Sequence, residues 1–99
     1  MSIKKLKVAV VGATGAVGET MLSILAERKF PSSEVVALAS ARSAGTEVKS
    51  GIDDIDVLDL ATFDPTGVDI ALFSAGGAIS KEYAPKFAAA GAVVIDNSS

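Results

Sequence analysis

The stretch VAVVGATGAVGETM, residues 8–21, limits what this chain can fold into more than any other part of it. Four apolar residues without alternation, Val8, Ala9, Val10 and Val11, read as a short strand buried on both faces, set within residues 7–11. Glycines then stand at 12, 15 and 18, and the period changes. Val17, Met21, Ile24 and Leu25 fall at i, i+4, i+7 and i+8, which predicts an amphipathic helix ending near Lys29 with Pro31 as its stop. Residues 34–40, EVVALAS, predict a second strand. Strand, helix and strand in this order form a βαβ unit, whose right-handed crossover makes the two strands parallel.

The remainder repeats that pattern after an interruption. Residues 46–49 and 55–60 flank SGIDD, where Gly51 and Asp53-Asp54 suit a turn, so a small hairpin or irregular excursion is expected. Residues 68–74, VDIALFS, predict another buried strand. Ile79, Tyr83, Phe87 and Ala90 space out a second helical stripe. Pro85 fits a helix only in its first turn, so this helix is expected to start late or irregularly. Gly91 closes it, and AVVID, residues 92–96, gives a last strand. The fold class is α/β: a Rossmann-like open, mostly parallel sheet with flanking helices, forming part of a dinucleotide-binding domain. One domain accounts for residues 1–99, with no repeat or linker.

Each glycine of the G-x-x-G-x-x-G loop has a physical use at a strand-to-helix turn. Gly12 permits the sharp turn, Gly15 lets a diphosphate approach the backbone, and Gly18 lets the helix pack closely on the strand. The unpaired amides and dipole of the helix start then attract an anion without a basic side chain. Thr14 adds a hydroxyl. A tight turn alone also uses glycines, but the strand before and the helix and strand after supply the context of a dinucleotide site. No Lys-Ser/Thr pair follows the last glycine, so this is not a nucleoside-triphosphate loop.

The tip of the second strand bears on which dinucleotide. A site for NAD places a carboxylate there, on the ribose 2′-hydroxyl. This chain has Ser40-Ala41-Arg42-Ser43 and no acid between Glu34 and Glu47. A guanidinium between serines suits a 2′-phosphate, through charge-assisted bonds of about 1.5–3 kcal/mol. NADP is the expected cofactor. Ser74, Ala75, Gly76 and Gly77 close the next strand at the same end of the sheet and should border the cofactor. Asn97, Ser98 and Ser99 are ambiguous and fit a polar loop start. Asp53, Asp54 and Asp56 are explained by a solvated turn.

Composition excludes other functions. The net charge is −3 and no Lys/Arg cluster exists beyond Lys4-Lys5-Leu6-Lys7, which argues against nucleic acid. No apolar stretch approaches the ~20 residues of a membrane span, and no signal peptide is evident, so a cytoplasmic location is expected. The chain has no cysteine and no histidine. It can therefore offer no thiolate nucleophile, thiolate metal site or imidazole base of its own. No metal site is expected.

Four segments, VAVVGATGAVGETML, LASARSAG, VDIALFSAGG and AGAVVIDNSS, together resemble the N-terminal part of aspartate-semialdehyde dehydrogenases in order and spacing. GATG alone is shared with other reductases; the four together are specific. The resemblance implies NADP-dependent interconversion of aspartyl phosphate and aspartate semialdehyde through a cysteine thioester, a step toward lysine, threonine and methionine. It implies cofactor contacts at Gly12, Thr14, Gly15, Ala16, Val17 and Gly18, at Ser40, Ala41, Arg42 and Ser43, and at Ser74, Ala75 and Gly76. The family's catalytic cysteine and histidine and its substrate-binding arginines have no counterpart in this chain. The expectation is thus a fragment of a longer enzyme, or a cofactor-binding remnant, inactive alone. N-acetyl-glutamyl-phosphate reductase, with the same thioester chemistry, and a stand-alone NADP(H)-binding sensor are the alternatives, with a flavodoxin-like phosphate binder further off. Loss of covering helices and of an outer neighbour for the last strand would leave an apolar edge, so a homo-oligomer is expected.

Overall fold

The computed structural model describes residues 6–27, 32–50, 53–74 and 76–96. Its elements are β1 (Leu6–Val11), α1 (Ala16–Glu27), β2 (Ser32–Ala39), β3 (Glu47–Ser50), β4 (Asp53–Asp59), β5 (Ile70–Phe73), α2 (Gly77–Ala89) and β6 (Val93–Asp96). The strands form one sheet in the order β3-β4-β2-β1-β5-β6. Every pairing is parallel except β3 with β4. This is the open, mostly parallel α/β sheet that the sequence predicts.

β1 has no alternation because it lies in the middle with both faces covered. Val8, Ala9, Val10 and Val11 are all buried. Ala9 and Val11 join Val36, Leu38, Ala71, Phe73 and Phe87 in a core under α2. Val10 points the other way, into a second core with Ala13, Leu22, Ala37, Val48 and Val57 under α1. Successive residues of one strand thus feed opposite cores, as the two-residue period of a strand requires. The α2 core centres on rings: Phe73 meets Phe87 edge-on at 5.5 Å and 90°, and Phe63 stacks on Phe87 at 6.1 Å and 16°. Such an edge-on pair adds roughly 0.5–1.5 kcal/mol to the burial itself.

Three expectations need correction. The middle segment is a hairpin, one of its two expected forms, but it does not stand apart from the sheet, since β4 pairs in parallel with β2 from Ala37↔Val57 to Ala39↔Asp59 and extends the sheet. Asp53, Asp54 and Asp56 therefore belong to a strand and not to a turn. Asp54 and Asp56 stand on its solvent side, where Lys49 Nζ lies 3.7 Å from Asp54 Oδ1. Gly51 lies outside the described residues, as do Lys29 and Pro31.

The second correction is the packed face of α1. Val17 and Ile24 are 46% and 45% exposed, whereas Leu22 is fully buried. The face toward the sheet runs through Gly18, Met21 and Leu22, at i, i+3 and i+4. The reason lies at Gly18, where an added Cβ would stand 2.8 Å from Ala13 Cα and closer still to Gly12 O. Backbone packs on backbone there, and a stripe counted from apolar side chains misses that contact.

The third correction is α2. It begins at Gly77, not late, and Pro85 lies inside it. Proline gives no N–H to the carbonyl of Lys81 at i−4, so the helix forgoes one rung. Phe87, Tyr83 and Ile79 pack toward the sheet as the stripe predicts, with Ala84 in place of Ala90, and this packing holds the helix across the gap. Gly91, with φ 99°, ends it as expected.

Candidate functional site

From β1 the chain moves to β2 on one side, and it later returns to β5 on the other. Such a reversal of strand order leaves a crevice at the carboxyl ends of the strands. Here the ends of β1, β2, β4 and β5 open into one cavity of about 450 Å³.

The glycine loop forms one wall. Gly12 has φ 88°, which a side-chain-bearing residue rarely adopts. Its amide and that of Ala13 both donate to Leu38 O, at 2.8 and 3.1 Å, which ties the loop to β2. Gly15 N donates back to Gly12 O at 3.1 Å, and the first helical bond runs from Glu19 N to Gly15 O at 2.9 Å. The amides of Ala16, Val17 and Gly18 precede that bond and have no i−4 partner in α1. The three glycines thus have three separate reasons. Gly12 is required by its backbone angle and Gly18 by the atoms beneath it. Gly15 has neither a left-handed φ nor a close neighbour, since its Cβ would meet only Gly12 O at 3.5 Å, an ordinary contact. It lines the cavity.

Ser40 and Ala41 line the next wall. Ser40 O accepts from Ser43 N at 2.9 Å and Ala44 N at 3.1 Å, folding residues 40–44 into a tight turn. Arg42 is exposed within this turn and has no hydrogen-bond or ion-pair partner among the described residues. Ser74, on the far side of β1, lines the cavity too, but its hydroxyl is engaged. It donates to Val11 O at 3.1 Å, with Gly12 O at 3.5 Å, and so ties β5 to the glycine loop. Gly76, with φ 100°, caps the start of α2.

Of the residues named from sequence, the cavity brings together Gly12, Thr14, Gly15, Ser40, Ala41 and Ser74. Ala16, Val17 and Gly18 form the first turn of α1 behind the loop, with Gly18 packed beneath it. Arg42, Ser43 and Gly76 stand outside the lining, and Ala75 lies outside the described residues, as do Asn97, Ser98 and Ser99. Sequence reasoning missed Asp59, Leu60 and Ala61, and on α2 Ile79 and Tyr83 as lining residues. The first three follow β4, and only the parallel pairing of β4 with β2 shows that they end at this edge. Leu60 N donates to Ala39 O at 2.8 Å, and Asp59 Oδ1 accepts from Ala61 N at 2.9 Å. Desolvation, then the carboxylates of Glu82 and Asp59, raise the Tyr83 phenol above its usual range, so it is neutral at physiological pH.

A positive-ended helix start, a loop open to close approach and a polar turn beside an apolar wall suit a phosphorylated nucleotide ligand. The family model of the semialdehyde dehydrogenase NAD binding domain matches residues 7–99. The chain belongs to this family.

It is 62% identical over 96 residues to the aspartate-semialdehyde dehydrogenase of Legionella pneumophila, covering 97% of this chain and 28% of that protein. It is 60% identical over 94 residues to that of Streptomyces akiyoshiensis, covering 95% of this chain and 27% of the relative. Among solved structures, aspartate semialdehyde dehydrogenase II from Vibrio cholerae superposes with a TM-score of 0.91 at 51% identity, covering 97% of this chain and 29% of that one. The chain therefore spans under a third of the length of these relatives. Among the described residues, no helix is long and apolar enough to cross a membrane, and no group of three or more His, Cys, Asp or Glu is arranged to hold a metal ion.

Proposed function

We propose that residues 1–99 are the N-terminal, NADP-binding part of an aspartate-semialdehyde dehydrogenase. The observation that carries this is Gly15, a cavity-lining glycine that neither its backbone angle nor its neighbours require. Space kept clear at a helix start is what a diphosphate needs. The amides of residues 16–18 and the Thr14 hydroxyl would hold it, and the Arg42 guanidinium with Ser40 and Ser43 would take the 2′-phosphate. Gly76 and Ala75 would border the nicotinamide end, while Ser74 braces the loop rather than donating to the ligand.

The bound cofactor supplies hydride exchange with an acyl group. The chain's own residues bind and orient it. Without cysteine or histidine they give no thiol nucleophile and no imidazole, so residues 1–99 are expected to bind cofactor without turnover in the cytoplasm. Val93 and Ile95, 62% and 50% exposed on the edge strand, support self-association of this chain.

Calorimetric titration with NADP⁺ and with NAD⁺ tests the reading. NADP⁺ should bind tighter, and Arg42→Ala should remove about 1.5–3 kcal/mol of that preference. Equal affinities, unchanged in Arg42→Ala, would count against the 2′-phosphate assignment. A folded chain that binds neither would refute the site.

A further inference from the structure

We propose that two copies of residues 1–99 join through β6, antiparallel and with a two-fold axis at Val94, so that their six-stranded sheets run on as one. This rests on the self-association stated above and names its contact. The two outer strands of the sheet differ in chemistry. β3 carries exposed Glu47 and Lys49, with Lys49 Nζ 3.7 Å from Asp54 Oδ1. Charges of this kind keep a foreign strand away. β6, Val-Val-Ile-Asp, has no lysine and no proline, and its register against β5 is unbroken from Ile70↔Val93 to Phe73↔Asp96. Its one charge is turned toward α2, where Ser80 Oγ donates to Asp96 Oδ2.

Backbone direction decides which groups this edge offers. Val93 N donates to Asp69 O at 2.8 Å, toward the β5 side. Residues of a strand in a parallel ladder alternate, so Val93 and Ile95 spend their backbone groups on β5, and Val94 turns its N–H and C=O outward. The side chains alternate too. Val94 packs against the core under α2, whereas Val93 and Ile95 are exposed on the opposite face.

Such an edge is complementary to itself. With the axis at Val94, the Val94 amide of each copy donates to the Val94 carbonyl of the other. Val93 then faces the partner's Ile95, and Ile95 the partner's Val93, as non-hydrogen-bonded pairs whose side chains lie close. A slip of one residue would set these side chains across from residues of the other face. Moving the axis to Ile95 would bring the two Asp96 residues from roughly 14 Å to roughly 8 Å apart, about one screening length. The joined sheet ends in β3 on both sides, and those charged edges stop growth at two copies.

The chain has no cysteine, so introduced cysteines report the contact without background. Light scattering of the unaltered chain should give twice the chain mass. Val94→Pro removes the outward amide, a change that an edge strand tolerates, and should give the chain mass with a cooperative melt retained. An equimolar mixture of Val93→Cys and Ile95→Cys chains should form a mixed disulfide on mild oxidation, because that pair stands about 4.5 Å apart at Cα, within disulfide range. Each variant alone should give about ten-fold less linked product. A monomer at every concentration would overturn both the self-association and this contact. A dimer without the mixed disulfide, or one in which Ile95→Cys links chiefly to itself, would overturn the β6 pairing and leave self-association standing. A mass above twice that of the chain would overturn the closed pair. If Val94→Pro does not melt cooperatively, the cysteine variants decide alone.

Discussion

Replacing Gly15 and Gly18 by alanine, one at a time, should separate binding from folding. At position 18 the new methyl would lie 2.8 Å from Ala13 Cα and 2.9 Å from the Gly12 carbonyl carbon. Neither atom can yield freely, because Gly12 N and Ala13 N are both bonded to Leu38 O on a buried strand. Overpacking of this kind costs about 1–3 kcal/mol. Removing a glycine from a helix interior returns about 0.5–1 kcal/mol. The net loss is up to about 2.5 kcal/mol, and at about 4–8 °C per kcal/mol the melting temperature should fall by as much as about 10–20 °C. At position 15 the methyl meets only Gly12 O at an ordinary 3.5 Å. The fold should lose less than about 1 kcal/mol, mainly from a poorer N-cap. Affinity should suffer instead, because the methyl occupies the approach of an anion to the helix amides. Loss of one charge-assisted bond, about 1.5–3 kcal/mol, is a ten- to hundred-fold weaker Kd. Thermal melts and calorimetry on the same samples read both quantities. If Gly15→Ala lowers the melting temperature as much as Gly18→Ala does and keeps its NADP⁺ affinity, the assignment of Gly15 to a ligand is refuted.

Other expectations follow from single contacts. Pro85→Ala restores an amide to the exposed side of α2 and should raise the melting temperature by several degrees, given that an interior proline costs a helix up to about 3 kcal/mol; an unchanged or lower value would mean that the helix has adapted fully. The Thr66 amide, donating to Asp64 Oδ1 at 3.0 Å, holds the Asp64 carboxyl below the usual carboxylate range. A carboxylate with a depressed folded pKa stabilises above its unfolded pKa, and that contribution disappears as pH falls through the folded value. Denaturant unfolding should therefore show stability dropping below about pH 4, less steeply in Asp64→Asn. Ile95→Lys puts a charge on the exposed β6 edge and should lower the mean mass in light scattering; a wild-type chain that is already a monodisperse monomer would remove the case for self-association.

The parts of this fold that were legible in the sequence are those whose cause is local. Unbroken Val8 to Val11 meant a strand covered on both faces, and the glycine spacing meant a strand-to-helix turn. The unreadable parts depend on neighbours distant in the chain. Nothing in residues 53–59 states that they pair with β2, so the segment reads as either a hairpin or an irregular excursion, and the lining residues Asp59, Leu60 and Ala61 went unnoticed. Tyr83 was legible as one member of a packed stripe, but a stripe does not reveal that its upper end borders a cavity. The α1 face was misread because Gly18, the residue that approaches the sheet most closely, has no side chain to count. At the site, Gly12, Thr14, Gly15, Ser40, Ala41 and Ser74 line one cavity, while the Ser74 hydroxyl serves the backbone.

β1 is shared by two arms of the sheet, and this has a consequence for how the chain assembles. The arm from β1 through α1 and β2 to β4 is complete before residue 60 is synthesised, and it contains the glycine loop, the 40–43 turn and one full hydrophobic core. The other arm, β5 with α2 and β6, must close on the open side of β1 across a long loop, the entropically expensive and slower step. Ser74, Ile79 and Tyr83 belong to that late arm, yet they border the same cavity as Gly15 and Ser40. A ligand in the cavity would therefore clasp the two arms together. Its effect should appear in hydrogen exchange as slower opening of β5 and α2, with little change in β2, which the early arm already secures.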